Sequence, residues 1–439
     1  MNKKRFVCAA IALLMVLFCF PIVSHAADHA LHNGQSLDIS TFLPGDTVSV
    51  DADAAVTISG SRNNIQISCG AGAKVTLSDV NIDNTGVDNS CPLSFTGSGN
   101  ELTLAAGTTS RLTAGDLAPG VQVADGTELT IGGTGTLYAT SGLAAAGIGG
   151  EIYKSSGSIT ITGGTIIATA HGSTSGVSGA GIGGGAEGCG TVTITGGIVT
   201  ATSENGGAGI GGGCYGSGGT VTITGGAVTA KAEKIVASYL GKDIGSGRDG
   251  GGGGTLNVDG AASLTLQNTG TNAAVTLGDA YISDASVGIA NGYYVNGSHF
   301  NGTITDLTSA HITPGSDPDS YLVTGSTATA IYGAGMTGRT SNIVLFAITG
   351  TSIILENGTN NIELCGENTL SGACNAFSCQ NTVATFNSTG NVTGSLTATG
   401  GPNGAGIQTT GGTVNIQSGI IQATGGEKGA GIGGGEGET

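Results

Sequence analysis

Apolar and hydroxyl side chains alternate over short stretches of this chain, and the same alternation returns again and again. In TVTIT at 220–224, Val221 and Ile223 fall on one side of an extended backbone, and Thr220, Thr222 and Thr224 on the other. Gly225 and Gly226 then bend the chain. In AVTAK at 227–231, Val228 and Ala230 share one side; Ala227, Thr229 and Lys231 share the opposite one, and the charge on Lys231 marks that side as wet. The pattern predicts two short strands per unit, joined by a glycine turn, with Val, Ile and Ala inward.

The unit repeats. SITITGGTIIATA occupies 158–170, TVTITGGIVTATS 191–203 and TVTITGGAVTAKA 220–232, with looser copies ELTIGGTGTLYAT at 128–140 and TVNIQSGIIQAT at 413–424. Between them stands a second motif: AAGIGG at 145–150, GAGIGGG at 179–185, 207–213 and 429–435, and a degenerate DIGSG at 243–247. Ile161 to Ile194 is a step of 33 residues and Ile194 to Ile223 one of 29; Ile148 to Ile182 is 34 and Ile182 to Ile210 is 28. Such periods, uneven through loop insertions, predict a solenoid of stacked coils. Three short strands per coil fit each unit, with Ile148, Ile182, Ile210 and Ile244 as one inward column and Ile159, Val192 and Val221 as another. A longer repeat contains the short one. GTLYATSGLAAAGI at 135–148 matches GSLTATGGPNGAGI at 394–407, eight of fourteen residues being identical at a shift of 259.

The expected fold is therefore all-β, a right-handed parallel β-helix in two tandem arrays. Residues 27–270 form the first array, 271–345 a β-rich spacer or insert, and 346–439 a second array that reads as truncated, since GAGIGGGEGET stops where the next strand is due. The segment 207–212 also satisfies G-x-G-x-x-G. A dinucleotide loop must follow a strand and open a helix. Here the motif recurs and leads into another strand, so its glycines are expected to serve tight turns and close coil-to-coil approach.

Composition supports this picture. Glycine accounts for 85 of 439 residues, with only 7 prolines and no collagen period, and 10% of residues are charged. The first 26 residues carry Lys3, Lys4 and Arg5, an apolar run to about Val23, and Ser24-His25-Ala26; they read as a signal peptide cut after Ala26, which implies secretion or attachment to a cell wall, with no membrane insertion afterwards. Its loss takes the net charge from −17 to −20. That acidity disfavours nucleic acid and anionic membranes. Seven cysteines remain (Cys69, Cys91, Cys189, Cys214, Cys365, Cys374 and Cys379), an odd number without any C-x-x-C, and most are expected to be small buried apolar residues.

These stretches, from VTLSDVNID at 75–83 through ELTLAAGTTSRL and VQVADGTELTIGGTGTLYAT to GAGIGGG and TVTITGG, resemble the glycine-rich β-helix repeats of bacterial surface proteins, described as adhesin-like or carbohydrate-binding, with a fold similar to that of pectate lyases. The resemblance implies a surface or secreted protein that contacts glycans.

Candidate chemistry is sparse. Asp79, Asp83 and Asp88 are the candidates for calcium, against a solvated acidic turn; no other cofactor is expected. Asp51 and Asp53 are expected to share a strand face, and Asp243, Arg248 and Asp249 to surround a turn. No catalytic constellation is recognisable. For glycan binding the candidates are Tyr293, Tyr294 and His299 in NGYYVNGSHFNG at 291–302, with Thr222, Thr229 and Lys231 on the outward face, and the insertions at 171–178 and 233–240. The expected function is non-catalytic binding of a polysaccharide or glycan surface. The alternatives are a polysaccharide lyase or glycoside hydrolase, and a passive spacer. Outward T-x-T ladders also suit ice binding, but uneven steps and Lys231 argue against it.

Overall fold

In a computed structural model, the chain is described over residues 27–173, 176–233, 240–283, 292–295, 298–300, 303–306, 320–327, 331–334 and 340–434. It is all-β, and among the described residues the one helical turn is the 3-10 turn Ile39–Thr41. Nearly every strand pairing is parallel, and repeats pair with their own copies. Thr191–Ile194 lies between Ser158–Ile161 and Thr220–Ile223, in the register Ile159, Val192, Val221 and then Leu256. The neighbouring strands align Ile166, Val199, Val228 and Leu264. A separate nine-stranded sheet carries Ile148, Ile182, Ile210 and Ile244 in one register column.

Both predicted columns thus exist, and both face inward: Ile148, Ile182, Ile210 and Ile244 have no solvent exposure, and Ile159, Val192 and Val221 have at most 1%. Burying each such side chain contributes roughly 1.5–3 kcal/mol. One repeat cannot bury its apolar face by itself, so the stabilisation comes from the neighbour on each side. The hydroxyl side forms matching ladders, Thr160, Thr193 and Thr222 in one and Thr200, Thr229 and Thr265 in another.

The glycine after each inward isoleucine has a physical cause. Gly149, Gly183, Gly211 and Gly245 have φ between +129° and +140°. A Cβ on Gly149 would stand 1.9 Å from the carbonyl oxygen of Gly183, and one on Gly183 would stand 2.1 Å from that of Gly211. Neither the conformation nor the space admits a side chain. The G-x-G-x-x-G match at 207–212 therefore holds a short strand, Ile210–Gly211, in a sheet, and strand Thr220–Ile223 follows it.

Parallel pairing runs beyond residue 270, through Ala274–Leu277 and Ala280–Ser283. The antiparallel pair Gly292–Val295 and Ser298–His299 comes next. Parallel pairing resumes at Thr303–Asp306 and continues through Ser320–Ser326 and Thr340–Gly350 to Ile432–Gly433. Strands on both sides of the hairpin thus fall inside the stretch 271–345. They lack the TVTITGG signature that marks the repeats.

Two large apolar clusters result. One spans Leu31 to Tyr294, the other Tyr321 to Ile407. A third joins them: Leu322, Val344, Phe346 and Cys365 pack with Ala261, Tyr281, Tyr293, Val295 and Phe300. Strand Thr340–Gly350 is accordingly buried on both faces. Ile343 and Leu345 enter the second cluster, and Val344 and Phe346 enter the third. No described helix is long and apolar enough to cross a membrane.

Candidate functional site

The aromatic candidates from the sequence serve packing. Tyr294 is only 8% exposed and belongs to the first core, with His299 edge-on at 5.3 Å. Tyr293 is half-buried, its ring 4.6 Å from Tyr281 and 5.1 Å from Phe346. Tyr294 is thus taken up by the first cluster and Tyr293 by the cluster that joins the two large ones; of the three, only His299 is exposed. Thr222 and Thr229 sit half-exposed in the hydroxyl ladders, and Lys231 pairs with Glu233 on its own strand.

The acidic candidates also separate. Asp79, Asp83 and Asp88 are all exposed. Asp79 accepts a hydrogen bond from the Thr109 backbone N–H at 2.9 Å, and Asp83 one from Thr85 at 3.0 Å. They do not converge, and among the described residues no three His, Cys, Asp or Glu side chains are placed to hold a metal. Asp51 and Asp53 do not share a strand face. They lie in the turn between strands Thr47–Val50 and Ala55–Asn63, Asp53 with φ +59°. Asp51 faces the His32 Nδ1 at 2.5 Å.

Asp243 is fully buried. Its carboxylate accepts from the backbone N–H groups of Ala232, Asn268, Thr269 and Gly270 at 2.7–2.8 Å. It ties together segments from successive repeats, which is a structural task. Asp259 and Asp279 are buried next to each other, Asp259 accepting from the Asp279 N–H at 2.8 Å.

The insertion at 171–178 positions one ion pair, His171 Nδ1 to Glu204 Oε2 at 2.8 Å. The hydrogen bond that His171 donates to Glu204 raises the His171 pKa above 6.5, against the opposing effect of burial, and the same bond holds Glu204 below 4.5. Residues 234–239 of the other insertion lie outside the described residues, as do 1–26. The seven described cysteines are all unpaired, five of them buried. Burial pushes the Cys91 thiol up to about 12, and burial followed by the neighbouring Asp279 pushes Cys365 up as well. Such thiols stay protonated and are poor nucleophiles.

One recess among the described residues was not apparent from the repeats. It is an open groove of about 570 Å³ beside strand Phe377–Gln380, lined by Ser352, Cys374, Asn375, Ser378, Gln380 and Gln408 among others, with no charged side chain in its wall. Its origin is a change at the glycine column. In register, Ile354, Ser378, Gln408 and Gly433 succeed one another, where the earlier Ile-Gly strands have Gly149, Gly183, Gly211 and Gly245. Side chains replace hydrogens, and they form a network. Gln408 Oε1 accepts from Ser378 Oγ at 2.6 Å and from Asn375 Nδ2 at 2.7 Å, while Gln380 Nε2 donates to Ser378 Oγ at 3.4 Å. Cys374, at the groove, is the one exposed cysteine among the described residues. Comparing GAGIQTT at 404–410 with GAGIGGG at 429–435 is the sequence signal that marks the place.

No protein-family profile matches the chain, and no curated protein and no solved structure matches it either.

Proposed function

We propose that this chain is a secreted or cell-surface β-helix protein that binds carbohydrate without transforming it. The parallel registers support the β-helix: each repeat pairs with the next, and three kinds of strand recur in order along the chain. On this reading the two apolar clusters are the cores of two arrays, and residues 1–26 are the export signal.

The observation that carries the binding reading is the neutral groove. Sugars offer hydroxyl groups that both donate and accept, and amide and hydroxyl side chains answer both roles. Gln380, Asn375 and Ser378 supply that mixture around about 570 Å³ of open space. A neutral wall also avoids the cost of desolvating a charge when a neutral ligand docks.

The test is retention of the purified chain on immobilised bacterial, plant and mucin polysaccharides, competed by soluble sugar. Bound sugar should slow alkylation of Cys374, and Gln380→Ala should weaken retention about tenfold. Retention on none of the polymers overturns the carbohydrate reading. Retention with Cys374 still freely alkylated removes the groove from it.

A further inference from the structure

A second surface feature lies at the turns that follow the short strands Ile148–Gly149, Ile182–Gly183, Ile210–Gly211 and Ile244–Gly245. Four turns of the same form stack there. Each closes with a backbone bond between its first and fourth residues: Lys154 N–H to Glu151, Gly188 to Gly185, Gly216 to Gly213 and Gly250 to Gly247. The third residue of each turn has positive φ: Tyr153 +62°, Glu187 +64°, Tyr215 +65° and Asp249 +55°. A turn of this kind prefers glycine or asparagine at that position.

The chain uses glycine freely on either side of these turns, yet it places bulky side chains where they are strained. Two of them are tyrosines, Tyr153 62% exposed and Tyr215 47% exposed with the Arg248 guanidinium over its ring, 5.0 Å from the centroid. Burial does not account for either. The turns are in register: a Cβ at Gly188 would meet the Lys154 carbonyl oxygen at 2.0 Å, one at Gly216 that of Gly188, and one at Gly250 that of Gly216. The residues just before them therefore form a column, Tyr153, Glu187, Tyr215, Asp249. Neighbouring members stand one strand spacing apart and the tyrosines two, about 10 Å. Tyr215 is further held by Arg248, whose Nη2 donates to its hydroxyl at 2.6 Å.

We infer that this column is a track for an extended, neutral polysaccharide, with Tyr153 and Tyr215 stacking on alternate sugar rings. A pyranose unit in an extended chain is close in length to one strand spacing, so every second ring meets a tyrosine face. Glu187, exposed between the tyrosines, accepts from hydroxyl groups of the ring between them. The acidic members of the column, with the net charge of −17, disfavour polyanionic polymers. The inference rests on the carbohydrate reading above but names a different surface and the shape of the ligand.

The experiment measures affinity of the full chain for cellohexaose and for polygalacturonate, in the wild type and in Tyr153→Gly, Tyr215→Gly and the double variant. Each single change should weaken cellohexaose binding about tenfold and the double change about a hundredfold. Melting temperature should not fall in Tyr153→Gly, because glycine relieves the positive φ; this separates lost contact from lost fold. Polygalacturonate should bind more weakly than cellohexaose. Cellohexaose binding that survives both changes but is lost in Gln380→Ala overturns the track and leaves the groove reading intact. Absence of binding to every polysaccharide overturns both, and preference for polygalacturonate overturns the neutral ligand.

Discussion

His171 and Glu204 show how a single pair acquires a pH signature from the stacking of repeats. They lie 33 residues apart in sequence and meet at 2.8 Å. His171 has a raised pKa, so its stabilising share is complete below about 6.5 and is lost as pH rises through the raised value. Glu204 has a lowered pKa, so its share is complete above about 4.5 and is lost as pH falls through the lowered value. The pair is therefore strongest between those limits. With the His171 side chain 46% exposed, solvent screening keeps its worth below about 1 kcal/mol. Replacing Glu204 by Gln should bring the His171 pKa down, read by NMR titration of the imidazole. An unchanged titration would mean that the contact does not persist in solution. Little of this was legible beforehand: the sequence marked the insertion at 171–178, but the partner depended on which strands became neighbours.

At the scale of the element, the short Ile-Gly strand is governed by two demands. Isoleucine fills the interior column, and the glycine after it allows the next backbone to approach. Gly211 has φ +129°, and a Cβ on it would lie 2.3 Å from the Gly245 carbonyl oxygen. Gly211→Ala should cost about 3 kcal/mol or more, seen as a lowered melting temperature. Gly126 is the control. It also has positive φ, +77°, but a Cβ there meets nothing within 4 Å. Gly126→Ala should cost only the backbone strain, about 1–2 kcal/mol. Equal losses at the two sites would show that conformation, not approach, selects glycine in the column. The strands themselves were readable because alternation is a local property: Val221 and Ile223 against Thr222 needs only the period of two. The turn Asp51-Ala52-Asp53 was misread for the same reason. Its alternating Asp and Ala imitate a strand, while the left-handed φ of Asp53 bends the chain there.

At the scale of the whole molecule, the two large cores meet through one apolar seam. Phe346 belongs to it, 3% exposed and edge-on to Tyr293. Phe346→Ala should cost about 3–5 kcal/mol. The loss should be uneven: hydrogen exchange should rise in Ala280–Ser283 and Gly292–Val295, while the sheet holding Ile182 and Ile210 keeps its protection. A uniform rise along the chain would show that the two cores unfold as one unit, with the seam holding no separate stability.

The amino-acid sequence by itself determined the strand alternation, the inward columns, the structural use of GAGIGGG and the repeat at a shift of 259, since each depends on neighbours a few residues away or on one motif repeating another. Only the tertiary structure decided the rest. It packed Tyr293 into the seam and Tyr294 into the first core, because an aromatic ring is equally at home on a surface or in packing. It buried Asp243 under four backbone N–H groups and set Ser378 against Gln408 to make a groove. It also aligned Tyr153 with Tyr215. Such meetings depend on loop lengths that differ from repeat to repeat, and those lengths are expressed only once the strands have stacked.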